Sequence, residues 1–330
     1  MTDSSLSLGS ERISTLDTAF EILQQAWEGF DSARPGQPPT SSKSLDLLSQ
    51  GLPSEGVGAI AALREAETFL DESLAQSRPR FFGYVGSSGL EVGVLAEALS
   101  ASHDVNMAAV AATATMVEQQ TIQWVGEFIG FGATNGVVTS GGMLSNLTAL
   151  AVARERALPG SRITGLDGRG TLYISAEAHS SIERSAELLG LGSNAVRSIP
   201  IDENRRMDIS ALEAQIKTDV ANGYVPIAVV ATAGTTLTGA VDPIRAIAEV
   251  CKAHGIWLHV DGAYGLAALC APSVRSHFDG IEAADSFIVD PHKWLFAPFD
   301  ACALVYRNPA LAKETHTQHA SYLETLHDDS

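Results

Sequence analysis

From about residue 105 onward, short β-branched apolar runs alternate with stretches of helical periodicity, and this alternation constrains the fold more than any other feature of the chain. "GVVTS" (136–140) reads as a strand, followed by glycines and the helical "MLSNLTALAVARERAL" (143–158). "TLYISAEAH" (171–179) is a strand before the helical "SSIERSAELLG" (180–190). "PIAVVATAG" (226–234) precedes the helical "DPIRAIAEVCKAHG" (242–255), and "IWLHVD", "SFIVD" and "ACALVY" are further strands. Such alternation implies βαβ units and a mostly parallel sheet, an α/β fold. Ligands of these sheets bind beyond the carboxyl ends of the strands. Gly141, Gly142, His179, Thr235, Thr236, Asp261 and Lys293 all fall there.

The first 85 residues have a different texture. Ile13, Leu16, Phe20, Leu23, Trp27 and Phe30 recur at spacings of three and four, one face of an amphipathic helix. "ARPGQPPTS" (33–41) breaks that pattern, and a second helical stretch follows at 58–75. Residues 1–85 therefore read as a helical arm and 86–330 as a large α/β domain. The arm either packs on a second subunit or covers its own domain.

A chain of 330 residues can bury a large core. The net charge of −18 disfavours nucleic acid and anionic membrane as partners. No apolar run is long enough to span a bilayer, and the polar N-terminus lacks a signal-peptide pattern. Cys251, Cys270 and Cys302 are widely spaced, with no CxxC, so neither a disulfide framework nor a metal site is expected. A reducing cytoplasm is the expected compartment.

Lys293, in "DPHKW", and Asp261, in "WLHVDGAYG", each follow a buried strand, so both side chains should emerge at one edge of the sheet. Pyridoxal phosphate needs such a pair. The lysine amine condenses with its aldehyde, and the carboxylate keeps its pyridine nitrogen protonated. Partial desolvation beside apolar residues would favour the neutral, nucleophilic amine. Taken singly, Lys293 is also readable as a loop lysine and Asp261 as a helix cap. His179 could stack on a flat ring or be a structural histidine at a strand–helix junction. His259 shares the strand face of Asp261 and reads either as a residue that supports Asp261 from behind or as a satisfied core histidine. The glycine pair 141–142 before a helix can cradle a phosphate with free N–H groups. Thr235 and Thr236 either approach the cofactor or close their own turn. Asp242 before Pro243 reads as a helix N-cap.

Together these segments resemble the group II pyridoxal-phosphate-dependent amino-acid decarboxylases of fold type I, which include aromatic-L-amino-acid, histidine and glutamate decarboxylases. "PRFFGYV", "TSGGMLSNLTAL", "AHSSIER", "GTTLTGAVDP", "WLHVDGAYG" and "DPHKW" match in order across roughly residues 79–310. The resemblance implies Lys293 as the Schiff-base lysine, Asp261 as the partner of the pyridine nitrogen and His179 as the histidine stacked on the ring. It implies Ala263 below the ring, Thr236 near the cofactor, and Asp290 and His292 helping to place the phosphate with Gly141, Gly142 and Met143. Ser87 and Tyr84, in "FFGYVGSS", fall on the substrate side. The implied reaction is decarboxylation of an L-amino acid, possibly aromatic, to the amine and CO2 through a quinonoid, in a homodimer. The alternatives are transamination or decarboxylation coupled to oxidative deamination, or a truncated paralogue that binds the cofactor without turning over.

Three features depart from the family pattern. Met143 stands where many relatives carry Ser or Thr, and a thioether donates no hydrogen bond, so backbone N–H groups, Ser140 or Ser145 would have to compensate. Relatives continue beyond the position of Ser330 into a mobile loop and a small C-terminal domain, both expected to be absent here. Tyr322 aligns before the tyrosine of that loop and does not take its role. "GAYG" and "DPHK" are closer to bacterial members, which leaves the substrate open.

Overall fold

The apolar runs form one seven-stranded sheet in the computed structural model, which describes residues 7–33, 36, 38–107, 111–132 and 135–318. Its strands are β1 (Asn135–Thr139), β2 (Gly170–Ser175), β3 (Val196–Ile199), β4 (Val225–Thr232), β5 (Trp257–Asp261), β6 (Ser286–Val289) and β7 (Cys302–Tyr306). The order across the sheet is β1-β7-β6-β5-β4-β2-β3. Strand β7 runs antiparallel to both neighbours, and the other pairings are parallel. This is the mostly parallel α/β sheet expected from the alternation, and it agrees with the fold type I that the resemblance implies.

Strand period splits the core into two layers. Val229, Ala231, Leu258, Val260, Phe287 and Val289 face one side, and Ala228, Val230, Trp257 and Ile288 the other. The first side is covered by α5 (Thr113–Ile129), α9 (Ile209–Ala221) and α10 (Ile244–His254), through Ile122, Leu212, Ile216 and Ile247. The second is covered by α6 (Gly142–Ala157), α8 (Ser181–Leu188) and α11 (Pro309–His316), through Leu150, Ala153, Ile182 and Ala312. Burying each such branched aliphatic chain contributes roughly 1.5–3 kcal/mol, so the layers hold the strand ends in register. α7 (Ser161–Thr164) links α6 to β2.

Backbone contacts fix the loops beyond the strand ends. A Cβ on Gly265 would lie 2.2 Å from the Ala233 carbonyl oxygen, so the segments after β4 and β5 touch main chain to main chain. The N–H of Leu90, just before α4 (Glu91–His103), donates to the Phe296 carbonyl at 2.9 Å. A Cβ on Gly93 would lie 2.6 Å from Pro298 Cδ, so α4 is pressed against the loop that carries Lys293.

The chain divides into two units, Met1–Ser88 and Gly89–Ser330, where sequence reading drew the boundary after residue 85. The first holds α1 (Arg12–Phe30), α2 (Ser42–Leu48) and α3 (Ala59–Asp71). Arg64 of α3 pairs with Glu21 of α1 and with Glu67. Ser41 caps α2, its hydroxyl accepting the Ser44 N–H at 3.2 Å. Among the described residues of this unit no large apolar side chain is buried, and Ile13 and Phe20 are 68% and 60% exposed.

One structural assignment needs correcting. Asp242 does not cap α10: Pro243 occupies the N-cap position, with no side-chain cap. Instead the Asp242 carboxylate, buried, accepts the Met207 N–H at 2.7 Å and the Thr232 N–H at 2.8 Å. It ties the end of β4 to the segment before α9. Burial pushes its carboxyl up to about 6, against the pull of those two N–H groups.

Candidate active site

Asp261 is the last residue of β5, paired in register with Thr232 of β4 and Ile288 of β6. Lys293 follows β6 in a turn closed by its own N–H on the Asp290 carbonyl at 3.0 Å. Adjacent parallel strands thus deliver a carboxylate and a lysine to the same edge of the sheet, because β5 and β6 end together.

The Asp261 side chain is buried and held at both oxygens. Oδ2 accepts from Asn146 Nδ2 at 3.0 Å, and Oδ1 accepts the Ala263 N–H at 3.2 Å. Ala263 in turn accepts the Asp290 N–H at 3.0 Å, which links the two strand-end loops. His259 lies on the same face and is fully buried. Its Nδ1 meets Ser286 Oγ at 2.8 Å and its Nε2 meets Asn146 Oδ1 at 2.9 Å, so it is a satisfied core histidine. Burial pushes its imidazole down to about 4, against the attraction of Asp261.

Lys293 Nζ pairs with Asp290 Oδ2 at 2.9 Å. Asp290 is buried, and its Oδ1 has no hydrogen-bond partner among the described residues. A Cβ on Gly142 would stand 3.1 and 3.3 Å from the two Asp290 oxygens, so the glycine lets the start of α6 approach this carboxylate. His292 is buried, its Nδ1 against the main chain of Ala301 and its ring 4.3 Å from that of Phe299.

Gly141 and Gly142 open α6, whose first N–H groups have no intrahelical acceptor. Met143 is exposed beside them. Of the two serines that could stand in for its missing donor, Ser145 is fully buried with its hydroxyl 2.7 Å from Thr139 Oγ1. Ser140 is exposed. His179, after β2, is exposed, and its Nδ1 accepts the Ser181 N–H at 3.2 Å, so a neutral ring carries its proton on Nε2. Met143, His179, Ser180 and Ser181 line an open cavity of about 380 Å³. Thr235 closes its own turn, its hydroxyl on Thr238 Oγ1 at 2.8 Å and on the Ala240 N–H at 3.2 Å, while Thr236 is exposed. Tyr84 and Ser87 belong to the first unit, where Tyr84 is exposed and its ring stacks on Phe81.

Sequence reading missed Asn146. The signal was present: Asn146, Ala149, Leu150 and Ala153 form one buried stripe of α6, and a polar residue in such a stripe must have buried partners.

A family profile described as the "Pyridoxal-dependent decarboxylase conserved domain" matches residues 43–330. The chain is 37% identical over 285 residues to cysteine sulfinic acid decarboxylase of Mus musculus, covering 84% of this chain and 57% of that protein. It is 35% identical over 249 residues to aromatic-L-amino-acid decarboxylase of Bacillus atrophaeus, covering 74% and 51%. The crystal structure of mouse CSAD superposes with a TM-score of 0.87 at 32% identity, over 93% of this chain and 66% of that one. The chain spans about half to three-fifths of the length of these curated relatives.

Proposed function

The chain belongs to the pyridoxal-dependent decarboxylase family, and from that premise we propose that it holds pyridoxal phosphate at the ends of β5 and β6 and decarboxylates an L-amino acid to its amine. The observation that carries this reading is the delivery of Asp261 and Lys293 to one sheet edge by adjacent strands. The residues fit the cofactor. Gly142 lets α6 start close to the loop that carries Lys293, and the first turn of α6 offers free N–H groups to a phosphate.

When bound, the cofactor supplies an aldehyde that takes up amines and a protonated ring that accepts the electron pair left by CO2. Lys293, ion-paired with Asp290 in the protein alone, would supply the amine that fastens the cofactor. Asp261 accepts the pyridine N–H and keeps that proton on the nitrogen. His179 stacks on the ring, with its Nε2–H directed to substrate. Gly141, Gly142 and the Met143 main chain would bind the phosphate, with Asp290 and His292 helping to place it, while Thr236 and Ala263 would bound the ring. By the resemblance alone, Tyr84 and Ser87 are the residues proposed for the substrate. The substrate class is an L-amino acid: one relative is named for an aromatic amino acid and the other for cysteine sulfinate.

The working form is a homodimer in which α1 covers its partner, a reading supported by the exposed Ile13 and Phe20. A reducing cytoplasm suits Cys251, Cys270 and Cys302, all free. Among the described residues no helix is long and apolar enough to cross a membrane.

The test is borohydride reduction of the protein with pyridoxal phosphate, peptide mapping, and product analysis with L-amino acids. Label on Lys293, its loss in Lys293→Ala, and release of amine with CO2 are expected. Keto acid as product would make the reaction a transamination, and aldehyde with CO2 would make it a decarboxylation coupled to oxidative deamination. No label on Lys293 would refute the assignment.

A further inference from the structure

We propose that Asn146 and His259 are positioning residues that hold Asp261 as an ionised acceptor turned toward its ligand, an inference that rests on reading Asp261 as the partner of the pyridine nitrogen. Five buried side chains form one hydrogen-bonded chain. Trp257 Nε1 donates to Ser286 Oγ at 2.9 Å, and Ser286 Oγ lies 2.8 Å from His259 Nδ1. His259 Nε2 lies 2.9 Å from Asn146 Oδ1, and Asn146 Nδ2 donates to Asp261 Oδ2 at 3.0 Å.

The direction of every proton in this chain follows from its two ends. An indole N–H only donates, and an ionised carboxylate only accepts. The amide of Asn146 must therefore turn its NH2 to Asp261, since the flipped amide would set two oxygens against each other. Its second N–H goes to Ser181 Oγ at 3.0 Å, and its oxygen is left to accept from His259 Nε2–H. Nδ1 of the neutral ring then accepts from the Ser286 hydroxyl, whose oxygen already accepts from Trp257. Burial keeps the ring neutral, as the downward shift of its imidazole indicates. All four bonds thus point toward Asp261 and polarise one another. With Oδ1 on the Ala263 N–H, the carboxylate is held at both oxygens and cannot rotate without breaking these bonds, while each oxygen keeps a lone pair for a further donor.

Two measurements test this. In the unmodified protein without cofactor, nitrogen NMR of the histidine side chains should show one neutral imidazole protonated at Nε2 and unchanged from pH 8 to pH 5.5. A ring protonated at Nδ1, or an imidazolium, for His259 overturns the proposal. The second compares pyridoxal phosphate affinity and visible absorption in Asn146→Leu, His259→Leu and His259→Gln, with Asp261→Ala as reference. Asn146→Leu and His259→Leu should bind at least tenfold more weakly and shift the absorption as Asp261→Ala does. His259→Gln keeps a donor toward Asn146 and should stay within threefold of the unmodified protein, a rescue that a purely structural role does not predict. Equal losses in His259→Gln and His259→Leu, or unmodified binding by Asn146→Leu, overturn it. An Asp261→Ala protein with unchanged affinity and spectrum would instead sink the reading of Asp261 itself. Should a leucine variant fail to fold, the tautomer of His259 and the His259→Gln variant still decide.

Discussion

Lys293 Nζ lies 2.9 Å from Asp290 Oδ2, an ion pair closed within a single turn of chain. The carboxylate is buried while the lysine is partly open to solvent, so the two partners are not equivalent. Lys293→Met would strand a buried charge and should cost about 2–3 kcal/mol in urea unfolding of the cofactor-free protein. The double variant Asp290→Asn/Lys293→Met should recover most of that loss. An equal loss in the double variant would show that packing, and not charge, accounts for it.

His259 should give the protein an acid-sensitive stability. Its folded imidazole sits near 4, against an ordinary value of 6.5, with Asp261 as the charged group beside it. The unfolded chain therefore takes up the proton first as pH falls. The contribution is fully present above about 6.5 and is lost progressively as pH falls below it. Urea midpoints at pH 7.5 and pH 5 should differ more for the unmodified protein than for His259→Gln. Parallel pH dependences would remove His259 as the cause.

Gly142 should be more important to the cofactor than to folding. Alanine favours a helix by about 1 kcal/mol over glycine, yet its Cβ would press on the Asp290 carboxylate. Gly142→Ala is expected to bind pyridoxal phosphate on the order of tenfold more weakly by fluorescence titration, with thermal unfolding shifted by only a few degrees. Unchanged affinity would mean that the carboxylate gives way freely.

The exposed apolar face of α1 should matter to assembly. Phe20→Glu is expected to convert a dimer into a monomer in analytical ultracentrifugation at micromolar concentration. A dimer of undiminished stability would assign the arm to covering its own chain.

Much of the site was legible because its signals are local. The strand runs at 226–234, 256–261 and 286–290 ended where the structure ends β4, β5 and β6, within a residue or a few. β3 was not read, since a four-residue strand carries too little alternation to stand out, and neither were the helices α4, α5 and α9. Asp242 illustrates the limit of local reading. Its position before Pro243 suggested a cap, but its carboxylate is spent on N–H groups from β4 and from residue 207.

By itself the sequence determined the mostly parallel sheet and which residues stand at its strand ends, because strand period and βαβ alternation are written into neighbouring residues. Only the tertiary structure decided what each buried polar group bonds to. Asn146 meets Asp261 across 115 positions of chain, and His259 meets Ser286 across 27. A buried donor or acceptor must find a partner among the elements packed against it, and that choice is made when α6 settles on the face of β5 and β6.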